Sequence, residues 1–146
     1  MTTVSPKGPR SRPDTRVLPD PTWESRSFWQ GGANGELLIH RCHACHRLFH
    51  PPAPACFRCR STDVAPEPVS GLATVAAVSV NVHQWLPGFA PPYAVAIVEL
   101  DDDPTVRLTT NIVDCDPWEV EIGMAVVVRF EEWDDCWIPV FVPAAS

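Results

Sequence analysis

Residues 42–59 read CHACHRLFHPPAPACFRC. Two Cys-x2-Cys knuckles, Cys42/Cys45 and Cys56/Cys59, stand ten residues apart. Zn²⁺ takes four soft ligands in a tetrahedron, with Zn–S near ~2.3 Å. Each knuckle turn delivers two thiolates from one side, and a short excursion brings the second pair round. The spacing therefore predicts one zinc ion held by Cys42, Cys45, Cys56 and Cys59; iron in the same four-thiolate cage is chemically possible. Four thiolates fill the coordination sphere and leave no position for water or substrate, so the metal is expected to be structural. His40, His43, His46 and His50 crowd the first knuckle. Four cysteines already suffice, so these histidines are expected to cap the knuckle or face solvent. Cys115 and Cys136 fall outside the pattern and neighbour acids (Asp114 and Asp116; Asp135), which disfavours a reactive thiolate. Both are expected to be inert and buried.

Upstream of the knuckles, Asp20-Pro21 reads as an N-cap with Pro at the first helical position. A short helix is expected through Trp23, Phe28 and Trp29, ending at Gly31-Gly32. Three large aromatics there need a surface to bury against. Glu36 to Arg41 reads as a strand. Downstream, Asp63 to Ser70 contains Pro66 and Pro68 and reads as a linker. The rest is strand-rich: Leu72 to Val82, Tyr93 to Leu100, Val106 to Val113, Ala125 to Phe130 and Trp137 to Val142. One helical signal interrupts them, with Asp116 as cap, Pro117 first, Glu119 at the capping-box site and Gly123 as the stop. Five strands with a short helix between the third and fourth is the order of an OB barrel. A five-stranded sandwich gives a similar pattern. The expected fold is mainly β: residues 1–19 a disordered tail, 20–65 the helix and zinc ribbon, and 66–146 an OB-fold barrel.

Length and composition agree. A chain of 146 residues fits one domain or a small domain with an added module. The 17 prolines disfavour long helices, since an interior Pro costs about 3 kcal/mol. The net charge of −7 is uneven. Residues 1–60 hold nine Lys/Arg and four Asp/Glu, and residues 61–146 hold two and fourteen, giving +5 and −12. A barrel at −12 repels a phosphodiester backbone, and nucleic-acid grooves need the opposite sign with stacking aromatics. No nucleic-acid partner is expected. Lys7, Arg10, Arg12 and Arg16 in the tail read as solvated charge. There is no 18-residue apolar run for a membrane helix and no signal-peptide stretch at the start. The expected location is the cytoplasm, where reduced thiols bind metal.

No catalytic constellation accompanies these features. GxSxG, HExxH and phosphate-cradling Gly loops do not occur. His83 is the one histidine of the barrel half and a candidate base, but a packing or partner role fits a loop residue better. Glu131-Glu132 and Asp134-Asp135 read as a solvated hairpin turn. The loop from His83 to Tyr93 is more informative. Trp85, Leu86, Phe89 and Tyr93 stand among Pro87, Gly88, Pro91 and Pro92. Aromatics held on a stiff loop are what interface cores use, and these four residues are the candidate partner interface.

The ordered set of motifs is Phe28-Trp29-Gln30-Gly31, then Gly35-Glu36-Leu37 leading to Arg41-Cys42 and Cys45. Pro51-Pro52 before Cys56 and Cys59, Gly71 opening the first barrel strand, Pro92 to Val98, and Ile122 to Val126 complete it. This set, over about residues 20–142, resembles a family of rubredoxin-like zinc ribbon plus OB-fold proteins that accompany thiolase-like enzymes of acyl-CoA metabolism. The resemblance implies an accessory subunit without catalytic residues of its own, docked on a thiolase-like homodimer in a two-plus-two heterotetramer. One branch looks like partners of steroid side-chain-cleaving aldolases, which act on 17-hydroxy acyl-CoA thioesters by retro-aldol cleavage. Others pair with biosynthetic or degradative thiolases; a stand-alone acyl-CoA-binding protein is a further alternative. If CoA passes near this chain, its phosphates should avoid the acidic barrel, and Arg41, Arg47, Arg58 and Arg60 on the ribbon are the candidate contacts.

Overall fold

Alternation along residues 93–100 sets the barrel wall. Ala94, Ala96, Val98 and Leu100 are buried while the residues between them are half-exposed, the period-two pattern of a strand with one face on a core. The computed structural model describes residues 17–145. Five strands, β4 (Leu72–Asn81), β5 (Tyr93–Leu100), β6 (Arg107–Ile112), β7 (Ala125–Trp133) and β8 (Cys136–Pro143), close in the order β4-β5-β6-β8-β7. All pairings are antiparallel except β6 with β8, where Ile112 faces Phe141. A 3-10 turn, Pro117–Glu119, lies between β6 and β7, and Asp116 caps it by accepting the Trp118 N–H at 3.0 Å. The barrel is therefore an OB fold and not a sandwich. Phe141, wholly buried, fills its centre with Val75, Val98, Leu100 and Val126. Gly71 opens β4 at φ 80, with Val128 Cγ1 2.6 Å from where a Cβ would sit. The acidic turn between β7 and β8 is narrower than the sequence suggested. Asp134 and Asp135 form it, while Glu131 and Glu132 belong to β7.

The N-terminal half is a three-stranded sheet in the order β2-β1-β3, made of β1 (Leu37–Cys42), β2 (Leu48–Phe49) and β3 (Val64–Val69). The expected linker is thus a strand. Val64–Val69 pairs antiparallel along the whole of β1, with His40 opposite Pro66 and Leu38 opposite Pro68. Two prolines argue against a central strand, but β3 lies at the sheet edge, where a missing N–H breaks no interior ladder.

The helix also differs from expectation. It is α1 (Arg26–Gln30), and Asp20-Pro21 does not start it. Thr22 and Ser25 do. Thr22 Oγ1 accepts the Ser25 N–H at 3.2 Å, and Ser25 Oγ accepts the Thr22 N–H at 2.9 Å, a reciprocal capping arrangement in which a serine replaces the usual Glu. The chain passes through Gly31-Gly32 as a 3-10 turn, Gly31–Asn34, and Gly35 ends it at φ 71. Of the three aromatics, Phe28 is buried and Trp29 half-buried, whereas Trp23 is 84% exposed.

Ribbon and barrel share one core. Phe28, Leu37, Ile39 and Leu48 pack in the same buried cluster as Val75, Val98 and Phe141. Each such side chain contributes about 1.5–3 kcal/mol on burial. At the joint Gly32 lies against β7 and β8, where an added Cβ would come within 2.6 Å of Trp137 Cβ and 2.7 Å of the Phe130 ring.

Candidate metal centre and partner surfaces

The knuckles converge because β1 carries Cys42 at its end and β2 turns the chain back toward Cys56. The four Sγ atoms of Cys42, Cys45, Cys56 and Cys59 lie within 4.8 Å of one another, with Cys42–Cys59 at 3.4 Å and Cys45–Cys56 at 3.8 Å. A tetrahedron with bonds near 2.3 Å puts its sulfurs about 3.8 Å apart, so the cage fits the ion. Backbone amides favour thiolate. The N–H groups of Cys59 and Arg58 draw Cys56 down to about 6, and the Cys45 N–H lowers Cys42. At Cys59 the Ser61 amide pulls down, but the neighbouring sulfurs outweigh it and raise the thiol to about 11. Four sulfurs cannot all hold charge unaided, and a divalent cation removes that conflict. All four positions are protein ligands, so the zinc site is structural.

Glu67 on β3 and Asp63 just before it brace the first knuckle. His43 Nε2 meets Glu67 Oε1 at 3.1 Å and its Nδ1 meets Asp63 Oδ1 at 3.3 Å. Glu67 first and Asp63 second raise the His43 pKa. Arg41 Nε donates to Glu67 at 2.7 Å and its Nη1 donates to the His46 carbonyl at 2.7 Å. Of the candidate CoA contacts, Arg41 is thus tied into this network. Arg47 sits 5.7 Å from the exposed Phe57 ring, while Arg58 and Arg60 face solvent. His43 and His46 are exposed at the knuckle. His40 and His50, by contrast, pack against ribbon and helix aromatics. His40 is buried beside Phe49, and His50 packs 4.7 Å from the Phe28 ring. Burial, then the neighbouring His40, lowers His50 to about 4.

Of the two barrel-half thiols expected to be buried, the structure buries one fully and one in part. Cys136 is buried and Cys115 half-buried, and burial followed by nearby acids raises both pKa values. Among the described residues, no histidine hydrogen-bonds to a serine, threonine or free cysteine. His83 lies edge-on to Trp85, with ring centroids 4.4 Å apart. On the β4–β5 loop, Trp85 is 70% and Leu86 48% exposed, while Phe89 and Tyr93 are half-buried. Phe89 and Tyr93 line a cleft of about 320 Å³ with Asn111, Ile112 and Val140. Asn81 escaped the sequence reading although it holds Trp85 in place; nothing in a strand-end Asn signals that contact. No helix among the described residues is long and apolar enough to cross a membrane.

Comparison with known proteins places this architecture. Residues 29–65 match the rubredoxin-like zinc ribbon domain of ChsH2, and residues 66–131 match its C-terminal OB-fold domain. The chain belongs to the ChsH2 family. Among relatives, a probable enoyl-CoA hydratase alpha subunit of Thermomonospora curvata is 38% identical over 146 residues, 99% of this chain and 43% of that protein. The 3-oxo-4,17-pregnadiene-20-carboxyl-CoA hydratase alpha subunit of Mycobacterium tuberculosis is 33% identical over 124 residues, 83% of this chain and 39% of that protein. The chain therefore spans about two fifths of the length of these two relatives. A solved chain of the Ltp2-ChsH2(DUF35) aldolase superposes with a TM-score of 0.77 at 39% identity, covering 88% of this chain and 100% of that one.

Proposed function

We propose that this chain is a noncatalytic accessory subunit of a thiolase-like acyl-CoA enzyme, specifically of a steroid side-chain-cleaving retro-aldolase acting on 17-hydroxy acyl-CoA thioesters. The observation that carries the reading is the match over the full length of the solved chain from the Ltp2-ChsH2(DUF35) aldolase. The pregnadiene-carboxyl-CoA named for one relative supports a steroid thioester as substrate class. The site chemistry is consistent with a supporting role. A retro-aldol cleavage needs a base for the hydroxyl and a stabiliser for the thioester enolate. The closed four-cysteine cage offers no Lewis-acid position, and the free thiols are held in their protonated form. Those catalytic groups would come from the partner.

In this reading a thiolase-like homodimer binds two copies of the chain through the loop bearing Trp85, Leu86, Phe89 and Tyr93. Arg58 and Arg60, the two ribbon arginines free in solvent, are the first candidates to meet CoA phosphates, with Arg47 beside them. A second reading is favoured by the relatives' names: an acyl-CoA hydratase subunit, with this chain as its ribbon–barrel portion.

The test is co-expression with the Ltp2 protein of that aldolase. Light scattering should show a two-plus-two complex, and cleavage of a 17-hydroxy acyl-CoA should require both chains. A monomer that neither shifts in size nor alters that activity overturns the reading. Hydration of an unsaturated acyl-CoA by a complex of this chain with a hydratase subunit would favour the second.

A further inference from the structure

Trp85 is an exposed aromatic held in one orientation. Its indole N–H donates to Asn81 Oδ1 at 2.8 Å, and Asn81 Nδ2 donates to the His83 carbonyl at 2.6 Å. The His83 ring stands edge-on at 4.4 Å, tilted 66°. Asn81 is the last residue of β4 and pairs with Tyr93 at the start of β5, so the clamp is mounted on a closed rung of the barrel. Trp23 and Trp118 are 84% and 64% exposed, yet neither indole N–H has a hydrogen bond among the described residues. Exposure alone therefore does not account for the clamp.

The surroundings suit an apolar contact. Residues 82–98 contain no Asp, Glu, Lys or Arg, in a half of the chain that holds fourteen acids. Val82, Trp85 and Leu86 are 65%, 70% and 48% exposed along this uncharged run. Burying this surface removes no charge from water, which is the main cost of covering the rest of the acidic barrel.

We propose that Asn81 and His83 preset Trp85 as a rigid anchor for an apolar socket on the thiolase-like partner, a socket that need supply no hydrogen-bond acceptor for the indole. This rests on the accessory-subunit reading above. A buried indole N–H ordinarily requires an acceptor. Here Asn81 brings that acceptor along, so the socket can be lined by aliphatic and aromatic side chains alone. Fixing the ring before contact also removes an ordering cost from association. Asn81 is thus a positioning residue, and Trp85 is the group that touches the partner.

Two measurements on the zinc-loaded full chain test this. In the free chain, the Trp85 indole ¹⁵N–¹H signal, assigned by its loss in Trp85→Phe, should relax as rigidly as the β4 backbone. It should become mobile in Asn81→Ala. In titrations with Ltp2, Trp85→Ala should weaken binding about thirtyfold or more, the scale of an aromatic hot spot. Asn81→Ala should weaken it about five- to tenfold, since the indole N–H then enters the socket unpaired. In a Trp85→Phe background, which has no N–H to satisfy, Asn81→Ala should cost almost nothing. A mobile indole in the free wild-type chain overturns the proposal. So does an Asn81→Ala effect that persists with Phe at 85, which would mean that Asn81 acts through the fold. Tight binding unchanged by Trp85→Ala overturns it while leaving the accessory role standing. Absence of wild-type binding removes the reading beneath it.

Discussion

Replacing Gly32 by Ala should drive a wedge into the joint between ribbon and barrel. Its added Cβ would stand 2.6 Å from Trp137 Cβ and 2.7 Å from Cγ and Cδ1 of Phe130. The Trp137 atom is fixed to the backbone of β8 and cannot swing aside. Overpacking of this kind costs about 1–3 kcal/mol. Loss of glycine freedom in the unfolded chain returns about 0.4–1 kcal/mol, and no left-handed backbone is recorded at Gly32 to add strain. The expected net loss is about 1–2 kcal/mol. For a chain of this size that lowers Tm by about 3–8 °C. The assay is urea unfolding of the zinc-loaded protein, followed both by barrel tryptophan fluorescence and by zinc release. Because Phe28, Leu37, Ile39 and Leu48 share the barrel's core cluster, both signals should shift together. Shrinking the obstructing ring with Phe130→Leu should reduce the cost of Gly32→Ala by about 0.5–1 kcal/mol, the coupling typical of residues in contact. A neutral or stabilising Gly32→Ala, or zinc release at an unchanged urea concentration while the barrel shifts, would refute the shared-core argument.

Purified protein should contain one zinc per chain by elemental analysis, and Cys45→Ser should lose it together with amide-exchange protection in β1–β3, because site formation and folding are coupled; full zinc retention would contradict the four-cysteine cage. Acid should destabilise the protein through His50. Its folded pKa of about 4 lies below the ordinary ~6.5, so the stability is complete above pH ~6.5 and is lost as the pH falls through 4. Discounted for partial exposure, that loss is about 2 kcal/mol and should be absent in His50→Phe; parallel pH profiles for the two proteins would exclude this cause. Mixed-sequence single-stranded oligonucleotide should not bind at micromolar affinity in about 150 mM salt, given the −12 on residues 61–146; micromolar binding there would overturn the charge argument.

Much of the fold was legible in local pattern. The knuckle spacing carried the metal cage, because a Cys-x2-Cys turn fixes two thiolates within one turn of backbone. Alternation and β-branched runs placed the five barrel strands to within a few residues, and Asp116-Pro117 marked the turn that separates an OB order from a simple meander. The failures have physical causes. Pro66 and Pro68 read as linker because proline breaks an interior ladder; which strand lies at the sheet edge is decided only when the sheet assembles. Asp20-Pro21 had the right residue types for a helix start, but Thr22 and Ser25 satisfied each other's amides and took the position.

The sequence by itself therefore determined a closed four-thiolate site, a strand-rich second half of strongly acidic charge, and an uncharged aromatic loop between its first two barrel strands. Each follows from neighbours in the chain, through turn geometry, periodicity or composition. Only the tertiary structure decided the rest. It tied Arg41 to Glu67 across paired strands, and it packed His40 against Phe49 and His50 against Phe28, contacts that no local pattern marks. Trp23 it left outside the core while Phe28 went in, and at position 32 it set a glycine against β7 and β8. On the loop it brought Asn81 to the indole of Trp85. Most of these depend on which strands and surfaces meet as ribbon and barrel assemble, and contacts between residues distant in sequence leave no periodic trace in the chain that makes them; the Asn81–Trp85 bond, four residues apart, depends instead on how the loop leaves β4.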